Sequence, residues 1–290
     1  MADDYVLVLA RWMHFSAAMI LFGSSLFPFC MGDLRQLAWR SGRPFALSFA
    51  CAAVIGAALW LYRYAAVTGE PDQILTTAWV VLTETSFRTV WIVRLAASLL
   101  LVAVTLTSFS QGRTALIAGF AATLLITEGW DGHVVGAARF GPLNQALHLL
   151  AAGFWLGSLV PLAAMITNAR SGTATDAWHA AGALRRYSNF ALVAVLVVAA
   201  TGSANTWLIL GAPPSPFASY GRALILKIGM FCLMLLVATL NRFVIIPQLN
   251  GAATESRALG LLSATILLEQ VLGAAILLDV SVFGLMDPAG

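Results

Sequence analysis

The sequence predicts an all-α polytopic membrane protein with eight transmembrane helices, arranged as two parallel four-helix repeats. Three observations predict it. Of 290 residues, 60% are hydrophobic and only 10% charged, and mean hydropathy is +0.87; soluble domains carry about 25% charged residues. Apolar runs reach the roughly 20 residues that a bilayer crossing needs, and they cover nearly the whole chain. Two segments around an intramembrane histidine also match each other. One reads His14-Phe-Ser-Ala17-Ala18, then Gly23-Ser24, then Pro28; the other reads His148-Leu-Leu-Ala151-Ala152, then Gly157-Ser158, then Pro161.

The spans are expected at residues 5–31, 44–66, 87–110, 114–131, 142–166, 188–210, 220–241 and 258–283. The first follows an acidic start, Asp3-Asp4, where a cleavable signal would need positive charge, so it is expected to be retained. The second opens after Arg43 and carries a central Gly56; the sixth opens after Arg185-Arg186 and carries Gly202. The third opens Ser86-Phe87-Arg88 and reaches Arg94, while the seventh opens Ser219-Tyr220-Gly221 and reaches Lys227. The fourth holds Ala122-Thr123 and then Glu128, and the eighth holds Ala264-Thr265 and then Glu269. Spans two and six match only weakly, while the other spans have clearer counterparts four spans on. An even number per unit makes both halves, 1–131 and 132–290, enter the membrane in the same direction, related by a pseudo-twofold axis along its normal. The connection 67–86 is the least regular, and its Trp79 suits the membrane interface.

Arginine placement sets the orientation, because cytoplasmic loops are rich in Lys and Arg. Arg35, Arg40 and Arg43 follow the first span, Arg113 the third, Arg170, Arg185 and Arg186 the fifth, Arg242 and Arg257 the seventh. The alternate loops hold Glu70, Asp72, Asp131 and a Pro213-Pro214-Ser-Pro216 turn. Both termini should face outward. The net charge of +3 is dispersed among helix ends, which speaks against nucleic acid as a partner. The three cysteines (Cys30, Cys51, Cys232) form no CxxC pair, and no Walker loop, GxGxxG, HExxH or GxSxG is present. An ATP-driven pump or a soluble-type enzyme is not expected.

An imidazole inside a hydrocarbon-bounded helix is costly and marks a functional site by default. His14 lies about nine residues into its span and His148 about six, so both fall in the outer third of the bilayer at 1.5 Å per residue. The pseudo-twofold would bring them face to face. His133, in Trp130-Asp131-Gly132-His133, stands at the outer mouth of the same region. Neutral imidazole is the commonest nitrogen donor for copper and zinc, so His14, His133 and His148 are candidate metal ligands, with Asp131 and Glu128 to attract a cation. Met13 beside His14 is a candidate soft ligand. His179 reads as solvated surface. The structural alternative is that each histidine only bonds a neighbouring helix.

Small residues follow each histidine on one face (Ala18 and Gly23; Ala152 and Gly157), which lets helices approach closely and places these two spans centrally. Trp155 reads as core. Buried charges in hydrocarbon need partners, and the expected pairs are Arg94–Glu128 and Lys227–Glu269, either as a clamp or in ion passage. Two histidines at equal depth would also suit haem b, with His14 and His148 as axial ligands and Arg11 and Arg94 at the propionates.

The stretch Gly132-His133 and Leu147-His148-Leu-Leu-Ala-Ala-Gly-Phe-Trp155-Leu-Gly157-Ser-Leu resembles the copper resistance protein D family. So do Arg186-Tyr-Ser-Asn-Phe-Ala-Leu, Thr201-Gly202-Ser-Ala-Asn205, Tyr220-Gly221-Arg222-Ala-Leu-Ile-Leu-Lys227 and Asn241-Arg242. The likeness is strongest over residues 130–250. The resemblance implies a bacterial inner-membrane protein that moves copper ions from periplasm toward cytoplasm, beside a separate periplasmic copper-binding partner. The family's histidines carry over to His133 and His148; His14 is added by the internal repeat. Copper would be captured by His133, Asp131 and Glu128, pass His14 and His148, and leave near Cys30 or Met31. The rivals are the haem b protein and a copper chaperone or assembly factor that does not transport.

Overall fold

The computed structural model describes residues 4–31, 42–107, 112–130, 139–171, 174–250 and 254–287, with side chains at all but 171, 174–180 and 250. Among these residues the regular structure is entirely helical. The helices are α1 Tyr5–Cys30, α2 Arg43–Thr68, α3 Ile74–Thr83, α4 Arg88–Leu106, α5 Arg113–Glu128, α6 Gly141–Ser171, α7 Ala174–Leu210, α8 Ser219–Leu240 and α9 Glu255–Phe283.

Seven of them are long and apolar enough to cross a bilayer: α1, α2, α4, α6, α7, α8 with its extension, and α9. The eighth crossing, expected over 114–131, is α5, and its 16 residues fall short of the roughly 20 required. Glycines bound it. Gly112 precedes it at φ +80°, a left-handed conformation that suits glycine, and Gly129 follows it. The supposedly irregular 67–86 connection contains α3, a 10-residue apolar helix that leaves Trp79 66% exposed.

Local chemistry explains the helix ends. Asp4 caps α1 by accepting from the Val6 and Leu7 amides at 3.1 Å each, satisfying donors that a helix start leaves open. The same carboxylate binds Arg63 near the end of α2, with Nη2–Oδ2 at 2.6 Å. Past α8 the chain widens into a π turn at Asn241–Ile245 and then tightens into a 3₁₀ turn at Ile246–Asn250. Pro247 supplies the reason: it has no amide proton and its ring crowds the carbonyl four residues back.

The bundle is organised around α1, which packs on α2, α5, α6 and α9. Its crossing with α6 brings the two backbones close together. A Cβ on Gly23 would stand 2.5 Å from the Gly157 carbonyl carbon, and one on Gly157 would overlap the Met19 carbonyl. Ser24 Oγ donates to the Gly157 carbonyl at 3.2 Å. The small-residue faces are therefore packing surfaces, and they bring backbones into contact. One core, with Ala18, Ala50, Ala53, Ala97, Leu101, Ala121 and Leu124, lies among α1, α2, α4 and α5. A second, with Phe27, Met31, Trp155, Ile166, Tyr187, Met234 and Leu262, joins α1 to α6–α9. α8 leans on α9 but barely touches α7, and that divergence leaves space inside the second half.

Candidate functional site

The space is a cavity of about 380 Å³ lined from α1, α2, α5, α6, α7, α8 and α9. Its polar lining includes Arg11, Glu128, Gln145, His148, Asn205 and Lys227; Met19, Met234 and Cys232 add sulfur. Trp155 lines it as well and is buried in the second core.

His148 is oriented by α7. Its Nδ1 lies 3.0 Å from Thr201 Oγ1, and the Thr201 hydroxyl donates to the Val197 carbonyl. A hydroxyl has one proton, so it accepts from His148 Nδ1–H. That assigns the lone pair to Nε2, the tautomer suited to binding a metal. Gly202 makes room for the ring, since a Cβ there would meet His148 Cε1 at 3.3 Å. Next to it, Asn144 Nδ2 donates to Asn205 Oδ1 at 2.7 Å and Asn205 Nδ2 donates to Gln145 Oε1 at 2.6 Å. This amide ladder ties α6 to α7 near the end of α7.

His14 is held differently. Its Nδ1 is 2.9 Å from the Ala53 carbonyl, which only accepts, so Nδ1 again carries the proton. Gly56 allows the approach: a Cβ there would lie 2.9 Å from His14 N. Nε2 is 3.5 Å from Glu128 Oε1, and Arg94 Nη2 is 3.1 Å from the same oxygen. The Arg94 guanidinium carbon stands 4.4 Å from the Trp60 ring centroid and that of Arg11 4.6 Å, so two cations contact one indole. Cation–π contact offsets part of the cost of burying them. His14 and Arg94 are both 0% exposed.

The two histidines differ in setting. His148 lines the cavity and His14 does not; Glu128 touches His14 and also lines the cavity. His14 is enclosed by α2 and α5. Met13 is half-buried and lines no part of the cavity. Asp131 and His133 lie outside the described residues, and the side chain of His179 does too. Among the described residues no three His, Cys, Asp or Glu side chains come together as a metal-holding group.

Of the expected ion pairs, Arg94 and Glu128 meet, whereas Lys227 and Glu269 do not. Glu269 Oε1 accepts from Asn241 Nδ2 at 2.9 Å. Lys227 lies 5.5 Å from the Phe283 ring centroid and interacts electrostatically with Asp279. The reason is register: Asp279 stands ten residues past Glu269 on α9, nearer the end where α8 begins. Asp279 escaped the sequence reading although it obeys the same rule, an ionisable group inside an apolar span. Thr201 was visible only as part of a motif, and nothing local marks it as the partner of a histidine 53 residues away.

Comparison with known proteins gives a consistent picture. The family model described as copper resistance protein D-like, N-terminal domain, matches residues 1–142, and the one described as copper resistance protein D matches residues 181–283. The chain is 26% identical to inner membrane protein YebZ of Escherichia coli (strain K12), over 96% of this chain and 97% of that one. It is 28% identical to copper resistance protein D of Pseudomonas syringae pv. tomato, over 95% and 94%. It is 29% identical to copper transport protein CutJ of Bacillus subtilis (strain 168), over 69% of this chain and 37% of that protein. No solved structure matches. The two family matches lie on either side of α6 and together cover most of the chain, which belongs to the copper resistance protein D family.

Proposed function

We propose that this chain is a multi-pass protein of the bacterial inner membrane that carries copper ions from the periplasm toward the cytoplasm. The observation that carries the reading is His148: a buried imidazole, fixed by Thr201 with its lone pair on Nε2, lining a cavity that also presents Met19, Met234 and Cys232. Imidazole with thioether and thiol is a soft donor set that favours Cu(I). The relatives' printed names, copper resistance protein D and copper transport protein, agree with it.

In this reading α5 completes an eighth, shorter crossing, both termini face the periplasm, and the halves are parallel repeats. His14 on Gly56 and His148 on Gly202 support the last point, since each histidine packs on a glycine of the following long helix. Copper enters past His133 and Asp131, with Glu128 and His14 forming the wall behind the cavity. A separate periplasmic copper-binding protein delivers it. Met13 adds a donor only at the outer rim.

The test is copper binding and uptake by the purified protein. His148→Ala should lower the affinity for cuprous ion at least tenfold and abolish uptake into proteoliposomes. Binding and uptake that survive His148→Ala would sink the reading; binding without uptake in the wild type would make the protein a chaperone.

A further inference from the structure

One ionisable group is absorbed neither by the cavity nor by the His14 cluster. Glu269 sits halfway along α9, the 29-residue helix Glu255–Phe283, and is 3% exposed. Its hydrogen-bond partner is an amide, Asn241 Nδ2 at 2.9 Å. Asn241 Oδ1 in turn lies 2.7 Å from Thr265 Oγ1, so the whole partner chain is neutral. Among the described residues no cation lies within ion-pair distance. The contrast with Glu128, which has a guanidinium at 3.1 Å, is sharp. An ionised carboxylate without a cation is costly in a medium that cannot solvate it, and such a group takes up a proton instead.

The titratable groups facing Glu269 add no positive charge. From α7 comes Tyr187, which is electrostatically coupled to Glu269 and, from α1, to Cys30. The Tyr187 hydroxyl is 2.8 Å from Ser158 Oγ, which donates to the Trp155 carbonyl. From α6 the polar contact to this stretch of α9 is Gln270 Nε2 on the Leu159 carbonyl, again neutral. Trp155 and Met234 line the cavity and also belong to the second core, with Tyr187 and Cys30. The carboxyl thus lies against a core that shares residues with the cavity wall. The group that holds it, Asn241, opens the π turn that follows α8. Such turns widen the hydrogen-bond ladder to i→i+5 and occur often at functional sites.

We propose that Glu269 is a proton-binding carboxyl that releases its proton as the cargo cation passes, so that copper moves in exchange for a proton. The proposal rests on the transport reading for its cargo. The step is an O–H dissociation alone: the carboxylate is tolerated while the cation stands beside it, and it takes a proton back when the cation has left. No redox change is involved.

Infrared spectroscopy of the full-length protein in detergent tests it. The carbonyl band of an un-ionised carboxyl is expected without copper, is lost in Glu269→Gln, and shrinks when cuprous ion is added under reductant. Glu128→Gln is the control and should leave the band in place. In proteoliposomes with a pH dye inside, cuprous uptake should shift the lumenal pH for the wild type and not for Glu269→Gln, which can keep the Asn241 bond. A band unaffected by Glu269→Gln overturns the proton site, and a band that cuprous ion leaves intact overturns the exchange. Copper binding measured on the same samples separates the two readings. A protein that binds no copper yet loses the band in Glu269→Gln overturns transport while upholding the proton site.

Discussion

The two sides of the bundle place similar side chains in opposite circumstances. In the first, His14 and Arg94 converge on one carboxylate oxygen of Glu128, Trp60 is flanked by two guanidiniums, and the helices close around them. In the second, His148 lines open space, Lys227 is drawn to Asp279, and Glu269 is left with an amide. The difference comes from packing. α2 and α4 pack on each other, whereas α7 and α8 diverge. A closed half that is charge-compensated can serve as a rigid wall. An open half with an uncompensated carboxyl can take up and release a cation. Similar residues therefore acquire different chemistry from the helix spacing around them.

The comparison breaks first at the joint between the halves. Gly157→Leu should abolish folded, monodisperse protein, because the new side chain meets the Met19 backbone rather than a side chain that can move aside; this exceeds the roughly 1–3 kcal/mol of ordinary overpacking. Gly119→Ala, where a Cβ meets nothing within 4 Å, should be neutral or gain up to about 1 kcal/mol, and thermal melting in detergent measures both. The next test sets the buried cations against each other. Arg94→Met strands Glu128 and should cost about 3–5 kcal/mol, while Lys227→Met, at a cavity wall, should cost less. Equal losses would erase the distinction between a closed and an open half. Thr201→Val should weaken cuprous binding about tenfold or more by freeing the His148 ring, read by competition with a chromogenic chelator. Without an affinity change, the tautomer assignment has no functional weight.

The smallest effect lies at the outer edge of the closed half. Burial pushes the Asp4 carboxyl up, but the Arg63 hydrogen bond and charge and the two helix amides outweigh it and hold the group below its ordinary range. Its contribution is complete above the ordinary carboxylate value of about 4 and fades as pH falls through the lower folded value. Asp4→Ala should cost about 1 kcal/mol near neutrality and remove that acid-side loss from the pH–stability profile.

Much of this was legible in the chain. Apolar runs gave the helices because a bilayer admits few alternatives for satisfying the backbone. Gly23 and Gly157 gave the central crossing because only small residues allow it. Arg94 and Glu128 could be matched because unpaired charge in hydrocarbon is costly. The same reasoning failed for Lys227 and Glu269, since a cost identifies that a partner is needed without saying which one, and Asp279 stood at the better height. Nor could the sequence separate His14 from His148. Their local sequences match, and what distinguishes them is the distance between helices on either side. By itself the sequence determined the membrane fold, the central helices and the groups that must be satisfied, because these follow from local polarity and spacing. Only the tertiary structure decided which histidine faces open space and which carboxyl lacks a cation, because both depend on how far α8 stands from α7.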